Sequence, residues 1–139
     1  MMYREELLNE FFNPQNVGVI RGANGVGKIV NRENGEIMKV YLSVQNGTIV
    51  DAQFQTFGCP VSIACTSVVT RLIKGKTLEE ALKVTAKEIK AELGNEVPEG
   101  KEHSFKMAEK LIKKAVKNYD KKQKGIKSSG DEDDDDDEE

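Results

Sequence analysis

The chain has 139 residues, 37% of them hydrophobic and 32% charged, with one histidine, two cysteines and no tryptophan. That length suits one domain with a real core, two cysteines exclude a disulfide framework, and no apolar run approaches the ~20 residues of a membrane span. The net charge of −3 conceals two regions, because residues 131 to 139 are all acidic and the remainder holds 21 basic and 15 acidic residues, a net +6.

The opening Met1-Met2-Tyr3-Arg4-Glu5-Glu6 lacks the apolar stretch of a secretory signal, so a reducing cytoplasm is expected. Tyr3 to Phe12 reads as a short amphipathic helix, with Leu7, Leu8, Phe11 and Phe12 on one side, stopped by Asn13-Pro14. Gly18 to Gly27 is glycine-rich, but its spacing is too irregular for a phosphate loop and no Gly-Lys-Ser/Thr follows. It reads as a loop and strand entry. Three strands come next, Gly27 to Asn31, Glu36 to Val44 and Ile49 to Phe57. The second puts Met38, Val40, Leu42 and Val44 on one face and Lys39 and Ser43 on the other. Asn34-Gly35 and Asn46-Gly47 suit the positive φ angles of tight hairpin turns, which predicts an antiparallel meander.

From Val61 the period becomes helical. Val61 to Lys74 is apolar nearly all round and ends at Gly75, as a helix buried against the sheet would. Thr77-Leu78-Glu79-Glu80 has a capping-box pattern, and Ala86 to Leu93 is a short helix closed by Gly94. The last helix, Ser104 to Lys122, carries one stripe of Ala108, Leu111, Ile112, Ala115, Val116 and Tyr119. The fold class is α+β: a three-stranded antiparallel sheet packed against several helices, with an N-terminal helix and a long C-terminal one. Residues 1–124 are expected to form the domain, and 125–139 a disordered tail ending in the acidic run, since like charges repel and bury no apolar surface. Such a run raises solubility, folds back on the basic 113–127 region, or docks a basic partner.

Cys59 sits where the last strand stops and the apolar helix begins. A thiol there faces the first amides of the helix, whose dipole favours a thiolate, the form that attacks sulfur and binds metals. Cys65, six residues on, falls on another face of that helix and reads as a buried core residue. Glu36, opening a strand, reads from its position alone as a solvated carboxylate, and His103 as a surface residue beside an N-cap Ser104.

Several segments together resemble the IscU/NifU N-terminal family of iron–sulfur cluster assembly scaffolds, including its SufU branch, over about residues 2–122. Phe12-Asn13-Pro14-Gln15-Asn16-Val17-Gly18 is similar to the family's N-P-x-N-x-G opening. Asp51-Ala52-Gln53-Phe54-Gln55-Thr56-Phe57-Gly58-Cys59 resembles its D-A-x-F-x-x-x-G-C strand, and Lys74-Gly75-Lys76-Thr77-Leu78-Glu79-Glu80-Ala81 the segment after its central helix. The resemblance implies a cluster site of three cysteines, an acidic residue two positions after the first, and a histidine just before the third. In this chain the first position is Asn34, in Asn34-Gly35-Glu36, the second is Cys59, and the third is Ser104, preceded by His103. Two of the three cysteines are therefore replaced. The L-P-P-V-K segment that some members offer to a chaperone is replaced by Glu96-Val97-Pro98-Glu99-Gly100-Lys101.

The resemblance thus implies Cys59 as sulfur acceptor from a cysteine desulfurase, and Cys59, His103 and Glu36 as metal ligands. One sulfur, one nitrogen and one oxygen donor, with water, make a plausible zinc or ferrous-iron site. They make a poor [2Fe–2S] site, which takes four mostly thiolate ligands, unless a homodimer shares one transient cluster between two Cys59 side chains. The expected function is that of an assembly scaffold delivering to apo iron–sulfur proteins. The alternative is a non-assembling regulatory paralogue that docks a desulfurase or another partner. An enzyme is not expected, because no nucleophile–base spacing or carboxylate pair is present. Neither a nucleic acid nor a membrane is an expected partner: aromatics are 6% and the lysines follow the solvated face of a long helix.

Overall fold

A computed structural model of the protein describes residues 3–125. The expected disordered tail lies, from residue 126 onward, outside the described residues. In chain order the elements are α1 (Glu5–Phe12), β1 (Gly25–Asn31), β2 (Glu36–Gln45), β3 (Thr48–Phe57), α2 (Pro60–Ile73), α3 (Leu78–Ala81), α4 (Ala86–Glu92) and α5 (Glu102–Gln123). The sheet is antiparallel in the order β1-β2-β3, so the predicted meander and the α+β class are both present. Both Asn-Gly turns adopt positive φ at glycine, 77° at Gly35 and 77° at Gly47.

The inward face of the sheet follows the period-2 pattern. Ile29, Met38, Val40, Leu42, Ala52 and Phe54 are buried, and α2 and α5 pack on them. α2 is buried nearly all round because it lies among the sheet, α1, α4 and α5. Its two buried threonines bond within the helix: Thr66 Oγ1 donates to the Ser62 carbonyl at 2.7 Å and Thr70 Oγ1 to the Ser67 carbonyl at 2.7 Å. α5 buries Ala108, Leu111, Ile112, Ala115 and Val116, with Tyr119 packed at the margin. It approaches β1 closely because Gly27 has no side chain. A Cβ there would lie 2.8 Å from both the Leu111 carbonyl oxygen and the Ala115 nitrogen.

α1 differs from the expected face. Leu7 is fully buried, but Phe12 is 71% exposed. Five residues on, Phe12 stands about 140° round the helix from Leu7, too far to share its contact with α2. Beside the buried Leu7, polar bonds tie α1 to α2: Ser67 Oγ donates to Glu10 Oε2 at 2.6 Å and Arg71 pairs with Glu10 at 2.8 Å, while Arg71 also reaches Glu92 of α4 at 2.9 Å.

The Asn-Pro segment then straps the outer edge of β3. Asn16 takes φ of 64°, its carbonyl accepts from Phe54 N at 2.9 Å, and Gly18 N donates to the Phe54 carbonyl at 2.9 Å. At the other end of β3, Ile49 N donates to the Lys76 carbonyl (2.8 Å) and Gly75 N to the Ile49 carbonyl (2.7 Å). No helix among the described residues is long and apolar enough to cross a membrane.

Candidate functional site

One end of the sheet collects the residues singled out by sequence. The β1–β2 turn is closed by Asn34, whose Oδ1 accepts from Glu36 N at 2.9 Å, and Glu36 opens β2. Pairing of Ile37 with Phe57 sets the start of β2 beside the end of β3, and hence beside Gly58-Cys59. Gly58 makes the approach possible, since a Cβ there would lie 2.9 Å from Glu36 Cγ and 2.9 Å from Ser62 Oγ. α2 starts immediately after, with Cys59 at its N-cap and Pro60 in its first turn. The first turn of α5 brings His103 and Ser104 to the same place.

Glu36 is the centre of this cluster. It is 4% exposed, which corrects its expected position as a solvated strand-start carboxylate. Ser62 Oγ donates to Glu36 Oε2, Ser104 Oγ lies 3.5 Å from the same oxygen, and Cys59 Sγ lies 3.6 Å from it. His103 Nε2 lies 3.2 Å from Oε1. Burial of a carboxyl group is costly unless it is hydrogen-bonded, and the two serines and the histidine supply those bonds. Ser104 is accordingly no N-cap. Lys101 takes that position, and Ser104 is buried one turn inside, turned to Glu36.

His103 Nε2 has a second neighbour, Asn34 Nδ2 at 3.3 Å. The amide is oriented by the bond its oxygen accepts from Glu36 N, so its nitrogen donates toward the ring. A single ring nitrogen donates to Glu36 only with a proton and accepts from Asn34 only without one. Nε2 therefore satisfies one of its two neighbours at a time.

Cys59 is half-buried at the N-cap of α2, but its side chain makes no cap bond to the helix amides. Its polar neighbours are Glu36 and Ser62 Oγ, the latter at 3.5 Å. Cys65 is fully buried in the core, as expected. Burial, and after it the neighbouring Cys59 and Glu36, push its thiol well above the ordinary value. Cys65 thus stays a protonated core thiol, whereas Cys59 faces the cluster.

The three expected ligands, Cys59, Glu36 and His103, are brought together pairwise through Glu36. Among the described residues, no group of three His, Cys, Asp or Glu side chains stands in the arrangement of a formed metal site. Ser62, Ser104 and Asn34 are the members of the cluster whose contacts sequence reading missed. For Ser62 a signal existed: it follows Cys59 by three residues, one turn into a helix that begins at Pro60.

Comparison with known proteins places residues 2–125 in a match to the NifU-like N-terminal domain family. The iron-sulfur cluster assembly scaffold protein IscU 1 of Archaeoglobus fulgidus is 40% identical over 121 residues, covering 87% of this chain and 78% of that protein. The IscU scaffold protein of Aquifex aeolicus is 41% identical over 123 residues, with 87% and 78% covered. Among solved structures, an iron-sulfur cluster assembly scaffold protein for the SUF system from Fervidobacterium islandicum superposes with a TM-score of 0.57 at 25% identity. That superposition covers 84% of this chain and 88% of the other.

Proposed function

Because the chain belongs to the NifU-like N-terminal domain family, we propose that it acts as an iron–sulfur cluster assembly scaffold with a reduced thiol set. The relatives named as IscU scaffolds support the general role, and the convergence of Cys59, His103 and Ser104 on the buried Glu36 supports its location. In this reading Cys59 accepts sulfur from the persulfide of a cysteine desulfurase. Its sulfur attacks the terminal sulfur of that persulfide, the partner's S–S bond breaks, and the proton of the Cys59 thiol ends on the departing thiol. Cys59 then carries the extra sulfur, with no net oxidation. Cys59, Glu36 and His103 would hold iron or zinc, with the cluster as cargo to be passed to apo proteins. The ring nitrogen of His103 and the carboxyl of Glu36, 3.2 Å apart, would supply nitrogen and oxygen donors of the kind such cations take.

A second reading is favoured by a specific observation, the lack of a formed three-ligand group among the described residues. Under it the protein is a regulatory paralogue that docks a desulfurase without assembling a cluster.

Anaerobic purification followed by metal and acid-labile sulfide analysis, with a visible spectrum, separates the two. Iron with sulfide, lost in Cys59→Ala, is the result expected of a scaffold. Zinc or iron without sulfide marks a mononuclear site with sulfur relay, seen as a mass gain of one sulfur atom on Cys59 after incubation with desulfurase and cysteine. A folded protein with neither metal nor added sulfur would overturn the scaffold reading in favour of the paralogue.

A further inference from the structure

α5 carries a second surface that the site does not use. Ser104, Ala108, Leu111 and Ala115 point into the protein, while Lys106, Lys110, Lys113, Lys117 and Lys121 are all exposed. At 100° per residue the five lysines fall within a sector of about 80°, opposite the buried positions. They recur at steps of three or four residues, so a cationic group stands every ~5–6 Å along ~22 Å of helix. The acids of α5, Glu102, Glu109 and Asp120, lie on one flank of this stripe, where Glu109 pairs with Lys113 at 3.2 Å.

The same chain supplies the complement. Residues 131–139 are nine acidic side chains without interruption. Only residues 126–130, Ile-Lys-Ser-Ser-Gly, separate them from Gly125, the second residue after the end of α5. Such a connection spans on the order of 20 Å at most, and nine extended residues reach ~30 Å, enough to run the length of the stripe.

We propose that residues 131–139 occupy the lysine stripe of α5 in the same molecule, running back antiparallel to the helix. Tethering by a short linker gives an effective concentration in the millimolar range, which makes the intramolecular contact outcompete one between copies in dilute solution. Each exposed ion pair is individually weak and screened by salt, so the contact rests on many pairs and is lost at high ionic strength. Occupation covers a five-lysine face of a body whose net charge is +6.

The test uses the full chain and a full-length variant in which every Asp of 131–139 is replaced by Asn and every Glu by Gln. Amide and lysine side-chain NMR signals are compared at about 0.01 M and about 1 M salt, where the Debye length is about 30 Å and 3 Å. Apart from the substituted segment and its linker, whose signals change with the substitution itself, differences are expected only in residues 106–124, at low salt and not at high salt, independent of protein concentration, and abolished by Lys110→Gln with Lys117→Gln and Lys121→Gln. Core signals that stay unchanged certify the fold of each variant. Identical low-salt signals from residues 106–124 would mean a bare solvated face and overturn the proposal. Differences that grow with protein concentration would place the segment on a second copy and overturn it equally, as would differences elsewhere in the folded body than α5.

Discussion

Glu36 is held in a place with almost no solvent by side chains that the surrounding elements aim at it. Ser62 comes from α2, Ser104 and His103 from α5, and the β1–β2 turn fixes its backbone through Asn34. Removing one hydroxyl leaves a buried carboxyl oxygen short of a donor. Ser62→Ala is therefore expected to lower stability by about 1–3 kcal/mol. Urea unfolding would show this as a lower midpoint with an unchanged slope. The glutamate was legible in sequence only as a family position, because nothing in a linear pattern distinguishes a carboxylate at a strand start facing water from one facing two serines. Cys59 was legible for a physical reason, the strand-to-helix junction, yet its neighbours were not. The thiol contacts a carboxyl group and a hydroxyl instead of the helix amides.

Between elements, two contacts carry testable weight. β1 and α5 meet at Gly27, where an added methyl would press on the Leu111 and Ala115 backbone of a regular helix. Backbone cannot swing aside as a flexible side chain does, so Gly27→Ala is expected to cost about 1–3 kcal/mol by overpacking. A thermal melt of that variant set against a Val26→Ala control would check it. α4 is tied to α5 by Glu109, whose Oε1 accepts from Ala86 N at 2.7 Å and whose Oε2 pairs with Lys113. Burial alone would raise the Glu109 carboxyl, but the Ala86 amide and Lys113 outweigh it and hold it below its ordinary 4.5. A carboxyl with a depressed folded value contributes stability above its unfolded value and loses it as pH falls through the folded one. The protection of amides at the start of α4, taken relative to their intrinsic exchange rate at each pH, should therefore fall as pH drops below about 4.5, and Glu109→Gln should remove that acid step.

At the scale of the whole molecule, most of the architecture could be read from the sequence because its signals are local. Two Asn-Gly turns, a period-2 run through Met38, Val40, Leu42 and Val44, and the 3.6-period stripe of α5 each specify an element without reference to the rest. Boundaries moved by one or two residues, as with β1, which begins at Gly25. What sequence could not show depends on where elements meet. Phe12 exposed beside a buried Leu7, Ser104 inside α5 instead of capping it, and the strap of Asn16–Gly18 along β3 are all consequences of packing between distant segments.

That strap has an effect beyond positioning the loop. An unpaired strand edge is a template onto which another chain can add, the common start of aggregation. β3 is an outer strand, yet its main-chain groups are engaged near one end by Asn16 and Gly18 at Phe54, and near the other by Gly75 and Lys76 at Ile49. A foreign strand would have to peel away two segments of the protein before it could pair there. The fold thus protects itself from fibril-like growth on that side with main-chain hydrogen bonds alone, independently of any charge it carries.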